Sequence, residues 1–263
     1  MTLNTFHFAG IASMSERRTK GIPRLREILQ LTAPKKQKTP SMAIYLKPEY
    51  ATFRSSAQEV ATAIKHLSII DVLQSSGIYY EYIPMKKFAI KSDSVWVKEF
   101  VKYNVGEKAT NLSSWIIRFT FSRIKLYSER LRLYEISFAL SKAFGRMVYV
   151  VSSSDSDETP TIIMYFVKDK IPSNKEEFGY VSETLQKIRK KGVHIRGISG
   201  IEESHVPPKP TDILRYDIVT QDLVIGEDGK AGVKEWGVGA QGTNLSKILY
   251  ESIPYIDKKK IVS

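Results

Sequence analysis

The chain has 263 residues, 42% of them hydrophobic, so it can bury one large or two modest cores and is too apolar for global disorder. Its 40 lysines and arginines against 28 acids give a formal net charge of +12, which favours a polyanionic partner, nucleic acid first. It has no cysteine, which excludes disulfides and thiolate zinc sites. It also has no signal peptide and no apolar run long enough to span a bilayer, so membrane readings drop out.

The chain opens with MTLNTFHFAG. A helix over Thr2–Phe8 puts Leu3 and His7 on one face, with Asn4 beside them. Such a set can grip a nucleotide, with Leu3 against a base, Asn4 on a sugar hydroxyl and His7 on a phosphate. Histidine titrates near neutrality, and a positioned proton donor is worth roughly 10²–10⁴ in rate. Taken alone, a single histidine on a short helix reads as an ordinary surface or core residue.

A helix is predicted from Pro23 to about Leu31, with Ile22, Leu25, Ile28 and Leu29 on its apolar face and Pro34 as its stop. The run Lys35, Lys36, Lys38 reads as a solvated linker or as a phosphate contact. Ser41–Leu46 reads as a strand. Ser56 and Glu59 have capping-box spacing before an apolar face of Ala57, Val60, Ala61 and Ile64. Leu67–Leu73 and Ile78–Ile83 read as strands, and a further strand is expected near Val95–Val101. Trp96 and Tyr103 beside lysines fit packing or base stacking.

From Trp115 the pattern sharpens. Trp115, Ile117, Phe119 and Phe121 alternate with Ile116, Arg118 and Thr120, which predicts a half-buried strand. Leu133, Ile136, Leu140 and Phe144 predict a helix stopped by Gly145. Met147–Val151 and Thr161–Val167 read as strands joined by a polar loop. Asp155, Asp157 and Glu158 in that loop lack the full ligand set of a calcium loop. Ser173 and Glu176 suggest a cap for a helix with Phe178, Val181, Leu185 and Ile188 on one face. Its basic end, Lys187 to Lys191, suits the helix dipole or a DNA contact. His194 and His205 read as structural. Glu227-Asp228-Gly229-Lys230 is a hairpin turn signal, with Trp236 in the second strand and Thr243 capping a last helix.

Two ordered blocks carry a resemblance. Leu3-Asn4-Thr5-Phe6-His7-Phe8-Ala9-Gly10 and Gly21-Ile22-Pro23-Arg24-Leu25-Arg26-Glu27-Ile28 resemble the two arms of the trigger loop in the largest subunit of multisubunit DNA-directed RNA polymerases. These enzymes occur as eukaryotic RNA polymerase II and in archaea and large DNA viruses. TPSMAIYL at 39–46, GIYYEY at 77–82, GVHIRGISGIEE at 192–203 and Gly242-Thr243-Asn244-Leu245 resemble further segments of that family. The tip at 11–20 differs, Ser15-Glu16-Arg17-Arg18 having no counterpart, and the family's chain extends on both sides of this stretch.

The resemblance implies an α+β fold. It comprises a mobile helical trigger-loop portion with its following helix at 1–31, a cleft region of mixed strands and helices at 32–84 and 192–263, and an inserted jaw-like α+β module at 85–191. It implies a lid that closes the active site over the incoming NTP during DNA-templated RNA synthesis. His7 would be the catalytic residue at the triphosphate, as acid or as positioner, with Leu3 on the base and Asn4 on the ribose.

The implied cofactor is Mg²⁺ in the assembled enzyme, with its ligands outside this chain, because the family's NADFDGD cluster is missing here. The fragment alone is therefore expected to be inactive. Implied partners are the remaining polymerase subunits, the rest of the largest subunit, DNA template, RNA product and NTP, with no membrane. The expected location is intracellular: nucleus, cytoplasm or virion according to source. The competing reading is a stand-alone basic nucleic-acid-binding transcription factor module.

Overall fold

The computed structural model describes residues 22–33, 36–37, 40–81, 88–100, 102, 111–173, 176–213, 224, 232–250 and 254–256. In chain order the described elements are α1 (Ile22–Leu29), β1 (Ser41–Tyr45), α2 (Pro48–Ala51), α3 (Arg54–Ile64), β2 (Leu67–Ser68), α4 (Ile69–Val72) and β3 (Leu73–Tyr80). Then come α5 (Ser94–Phe100), β4 (Leu112–Phe121), α6 (Arg123–Ser128), α7 (Leu133–Phe144), β5 (Val148–Ser152), β6 (Thr161–Val167) and α8 (Glu177–Lys191). The chain finishes with β7 (His194–Arg196), β8 (Ile201–His205), β9 (Thr211–Ile213), β10 (Val233–Glu235), β11 (Gly237–Gly242) and α9 (Leu245–Tyr250). The mixture is α+β, as expected. The chain divides into two compact units, one of residues 1–66 and 196–263 and one of residues 67–195.

The first unit centres on an antiparallel sheet of order β1-β11-β8. Met42 and Ile44 of β1, Val238 and Ala240 of β11 and Ile201 of β8 turn inward onto Ala57, Val60, Ala61 and Ile64 of α3. That face of α3 is the one its spacing predicts. Its start differs: α3 begins at Arg54 with Phe53 as N-cap, so Ser56 lies inside the first turn and caps nothing. β9 and β10 form a separate antiparallel pair, Ile213 opposite Val233. The turn signal at 227–230 between them lies outside the described residues, and Trp236 falls between β10 and β11 rather than within a strand.

The second unit is built on an antiparallel sheet of order β3-β4-β6-β5. Apolar side chains leave both of its faces. Ile117, Phe119 and Phe121 of β4 and Ile162, Met164 and Phe166 of β6 pack with Ile136 and Leu140 of α7 and Val181, Leu185 and Ile188 of α8. Ile116, Ile163 and Tyr165 point the other way, to Val97 of α5. A strand covered on both sides has no polar face to alternate, which is why β6 reads as the unbroken run TIIMYFV. β4 is therefore not the half-buried strand expected, since Ile116 is as buried as Ile117.

Three local expectations fail for physical reasons. Residues 94–100 form a helix, not a strand, because helical spacing delivers Trp96, Val97 and Phe100 together onto the sheet. Trp96 thus packs, half-buried, against the core beside Val97; Tyr103 lies outside the described residues. The Leu67–Leu73 segment is a two-residue strand followed by the helical turn α4, whose Asp71 carboxylate accepts the Ser68 N–H at 2.8 Å. α8 starts at Glu177 after the N-cap Glu176, so Ser173 is no cap. β3 pairs with β4 through Tyr80–Trp115, so residues 73–80 belong to the sheet of the second unit.

Candidate functional site

The residues expected at the nucleotide, Leu3, Asn4 and His7, lie outside the described residues, as do Lys35 and Lys38. Lys36 is described and exposed, and its N–H donates to the Ala33 carbonyl at 2.8 Å. The structure therefore places only the foot of the stretch 1–31. That foot, α1, carries the expected apolar set, but nothing covers it among the described residues. Ile22, Leu25, Ile28 and Leu29 are between 49% and 74% exposed. The helix closes with Leu31 at a φ of 47°, a left-handed residue beyond its end. An amphipathic helix left bare on its apolar side is unstable alone, so α1 needs a covering surface.

Two of the family-like blocks and the 196–203 part of a third converge in the first unit. TPSMAIYL supplies β1, which pairs with β11 from Ser41–Gln241 to Tyr45–Gly237. GVHIRGISGIEE runs into β8 on the other side of β11. Gly242-Thr243-Asn244 meets that block end-on: the Thr243 N–H donates to the Gly200 carbonyl at 2.9 Å, and the Asn244 amide donates to the Ser199 carbonyl at 2.8 Å. The last helix begins at Leu245, so Asn244, not Thr243, precedes it directly. The glycine at 197 has a concrete reason. Its φ is 84°, and a Cβ there would overlap the Lys65 carbonyl at the end of α3. Beside it, the Ile198 N–H donates to the Ile64 carbonyl and the His66 N–H to the Ile201 carbonyl, both at 3.0 Å. These blocks build a braced sheet, not a reactive centre.

GIYYEY lies in the second unit, and its described part leads to the most concentrated polar chemistry there. Arg118, on β4, donates through Nε to Asp93 Oδ2 at 2.7 Å and through Nη2 to Oδ1 at 3.4 Å. Its remaining donors reach Thr120 at 3.0 Å and Thr161 at 3.3 Å. Glu81, just past β3, accepts the Tyr165 hydroxyl at 2.8 Å and the Ala89 N–H at 3.1 Å. Burial pushes the Glu81 carboxyl above its ordinary range, against the lowering pull of those two donors. Burial and the neighbouring Glu81 carboxylate raise the Tyr165 phenol far above its usual range. Every strong donor and acceptor here is spent within the set, and it seals the 88–100 segment to the sheet. It is structural chemistry, and no sequence motif announces it, since its two principal pairs, Arg118–Asp93 and Glu81–Tyr165, join residues 25 and 84 apart.

The acids of the β5–β6 loop also have local work. Asp155 Oδ1 accepts the Leu133 N–H at 2.8 Å at the start of α7, and Asp157 Oδ2 accepts the Ser154 N–H at 3.2 Å. Among the described residues no three His, Cys, Asp or Glu side chains are grouped to hold a metal ion, so these residues offer no fit to Mg²⁺. None of the described helices is long and apolar enough to cross a membrane. At the basic end of α8, Lys187 pairs with Glu183 at 2.8 Å, and Arg189 donates from Nε to Ser76 Oγ at 3.0 Å.

The first unit thus offers a braced sheet with family-like blocks at its joints, and a helix whose apolar side is exposed among the described residues. The model of the family RNA polymerase Rpb1, domain 5, matches residues 1–263, and the chain belongs to that family. It is a segment of the largest subunit of a DNA-directed RNA polymerase, a nucleotidyltransferase that works with other subunits on DNA and RNA.

Proposed function

We propose that residues 1–31 are the polymerase's closing lid, the trigger-loop portion, and that Leu3, Asn4 and His7 meet the incoming NTP. The observation that carries this is the ordered pair of blocks at 3–10 and 21–28, within a chain that belongs to the largest-subunit family. The apolar side of α1, exposed among the described residues, supports it, because the foot of a closing element needs an apolar surface to rest on. Phosphoryl-type transfer depends mainly on positioning and electrostatics, so a lid can govern rate without covalent chemistry.

In this reading Leu3 packs on the base, Asn4 hydrogen-bonds the ribose and His7 contacts the triphosphate, as proton donor or positioner. Residues 32–84 and 192–263 shape the cleft for downstream DNA, with Lys35, Lys36 and Lys38 facing nucleic acid, and 85–191 form a jaw-like module beside it. The Mg²⁺ of the reaction would be held by carboxylates elsewhere in the assembled enzyme, and this chain alone would polymerise nothing. The enzyme would work inside the cell or virion.

The ribose contact gives the test. A site built to hydrogen-bond a hydroxyl rejects the analogue that lacks it, because the buried polar group is then unpaired. Assembled elongation complexes carrying Asn4→Ala should lose about tenfold or more of their preference for an NTP over its 2′-deoxy counterpart. Leu3→Ala should raise the apparent KM for matched NTP. Unchanged sugar discrimination in a correctly assembled Asn4→Ala enzyme rejects the assignment.

A further inference from the structure

α7 and α8 finish at one end of the 67–195 unit, and a cavity of about 600 Å³ opens between them. Its floor is apolar, with Ile188 and Val193 buried beneath it. Phe138 stands at its rim, 69% exposed. The core-facing residues of α7 are Leu133, Ile136, Ala139 and Leu140, so packing within the unit gives no reason for a phenylalanine at 138. Lys142 and Lys191 also line the opening, exposed and without an ion pair among the described residues, while Lys187 is held by Glu183. Two helix C-termini account for lysines nearby, since cations suit the negative end of each dipole. They do not account for an exposed aromatic ring over an apolar hollow.

We propose that this groove docks an acidic peptide segment of a partner protein. The segment inserts one bulky apolar side chain between Phe138 and Ile188 and sets carboxylates against Lys142 and Lys191. A volume of this size lies in the range of binding pockets and holds one or two large side chains. The apolar floor argues against phosphate as the occupant, because a phosphate there would lose its hydration without gaining donors. Complementary charge at the rim then orients and selects the segment more than it holds it. This proposal is independent of the lid reading.

The test uses the whole 263-residue chain and fluorescence anisotropy. The probe is a fluorescein-labelled synthetic peptide in which Asp and Glu flank a Phe and a Leu at i, i+4 spacing. One control replaces Phe and Leu by Ala; another replaces the acids by amides; a labelled DNA duplex is the third. The parent peptide should bind saturably. Phe138→Ala, and Lys142→Glu combined with Lys191→Glu, should each weaken it about tenfold or more, while Phe138→Leu keeps most of it.

Circular dichroism melting must match the wild type for each variant; Lys142→Gln with Lys191→Gln replaces the charge reversal if it does not. Absence of saturable binding overturns the proposal. So does equal binding by the Ala control, which would mean charge attraction alone, or DNA binding with the same variant pattern, which would make the groove a nucleic-acid site.

Discussion

Glu81 has as its partners a phenol and a backbone amide, not a cation, and burial raises its pKa above the ordinary 4.5. An acid whose folded-state pKa is raised contributes stability that is full below its unfolded value and is lost as pH rises through the raised one. Glu81→Gln removes that titration. The stability of wild type relative to Glu81→Gln, from urea midpoints of the two chains, should therefore be most favourable below pH 4.5 and decline as pH rises toward neutrality. A relative stability that rises toward neutrality would show that the folded protein favours the carboxylate. Arg118 and Asp93 sit nearby and meet through paired hydrogen bonds, so neither charge is left unpaired on burial.

At the scale of elements, the start of α7 depends on a residue from another loop. Its N-cap, Arg132, offers no side-chain oxygen, and Asp155 accepts the Leu133 N–H instead. Asp155→Ala should lower stability by about 1 kcal/mol, the usual worth of such a cap, while Asp155→Asn should retain most of it. A urea midpoint unchanged in Asp155→Ala would mean that solvent serves that N–H equally well.

The same helix shows what sequence patterning resolves. Leu133, Ile136 and Leu140 at helical spacing and Gly145 with its φ of 58° mark α7 from start to stop. β1 and β6 were equally legible as continuous apolar segments of strand length. α5 was not, because Val95, Trp96 and Val97 carry strand propensity and only the sheet beneath them selects the helix. Nor were the starts of α3 and α8. Ser56 and Ser173 have cap-like spacing, but a residue caps only where the chain turns into the helix. That turn falls at Phe53 for α3 and at Glu176 for α8.

For the molecule as a whole, the family was written in short blocks, and two of them and the 196–203 part of a third turn out to share one braced sheet. The reason for their glycines was not legible. The overlap that a side chain at Gly197 would make with Lys65 joins residues far apart in sequence. The groove was hidden for a related cause: Phe138 is off the core stripe of α7, and only the fold brings it beside Lys191.

The proposed lid residues Leu3, Asn4 and His7 rest on the resemblance carried by the blocks at 3–10 and 21–28, and their role is a matter for the assembled enzyme. The most direct measurement is the pre-steady-state rate of single-nucleotide addition by elongation complexes carrying His7→Ala. The account predicts intact assembly with addition slowed by roughly 10²-fold or more, the range of a positioned proton donor. Addition at the wild-type rate by a correctly assembled His7→Ala enzyme would contradict it.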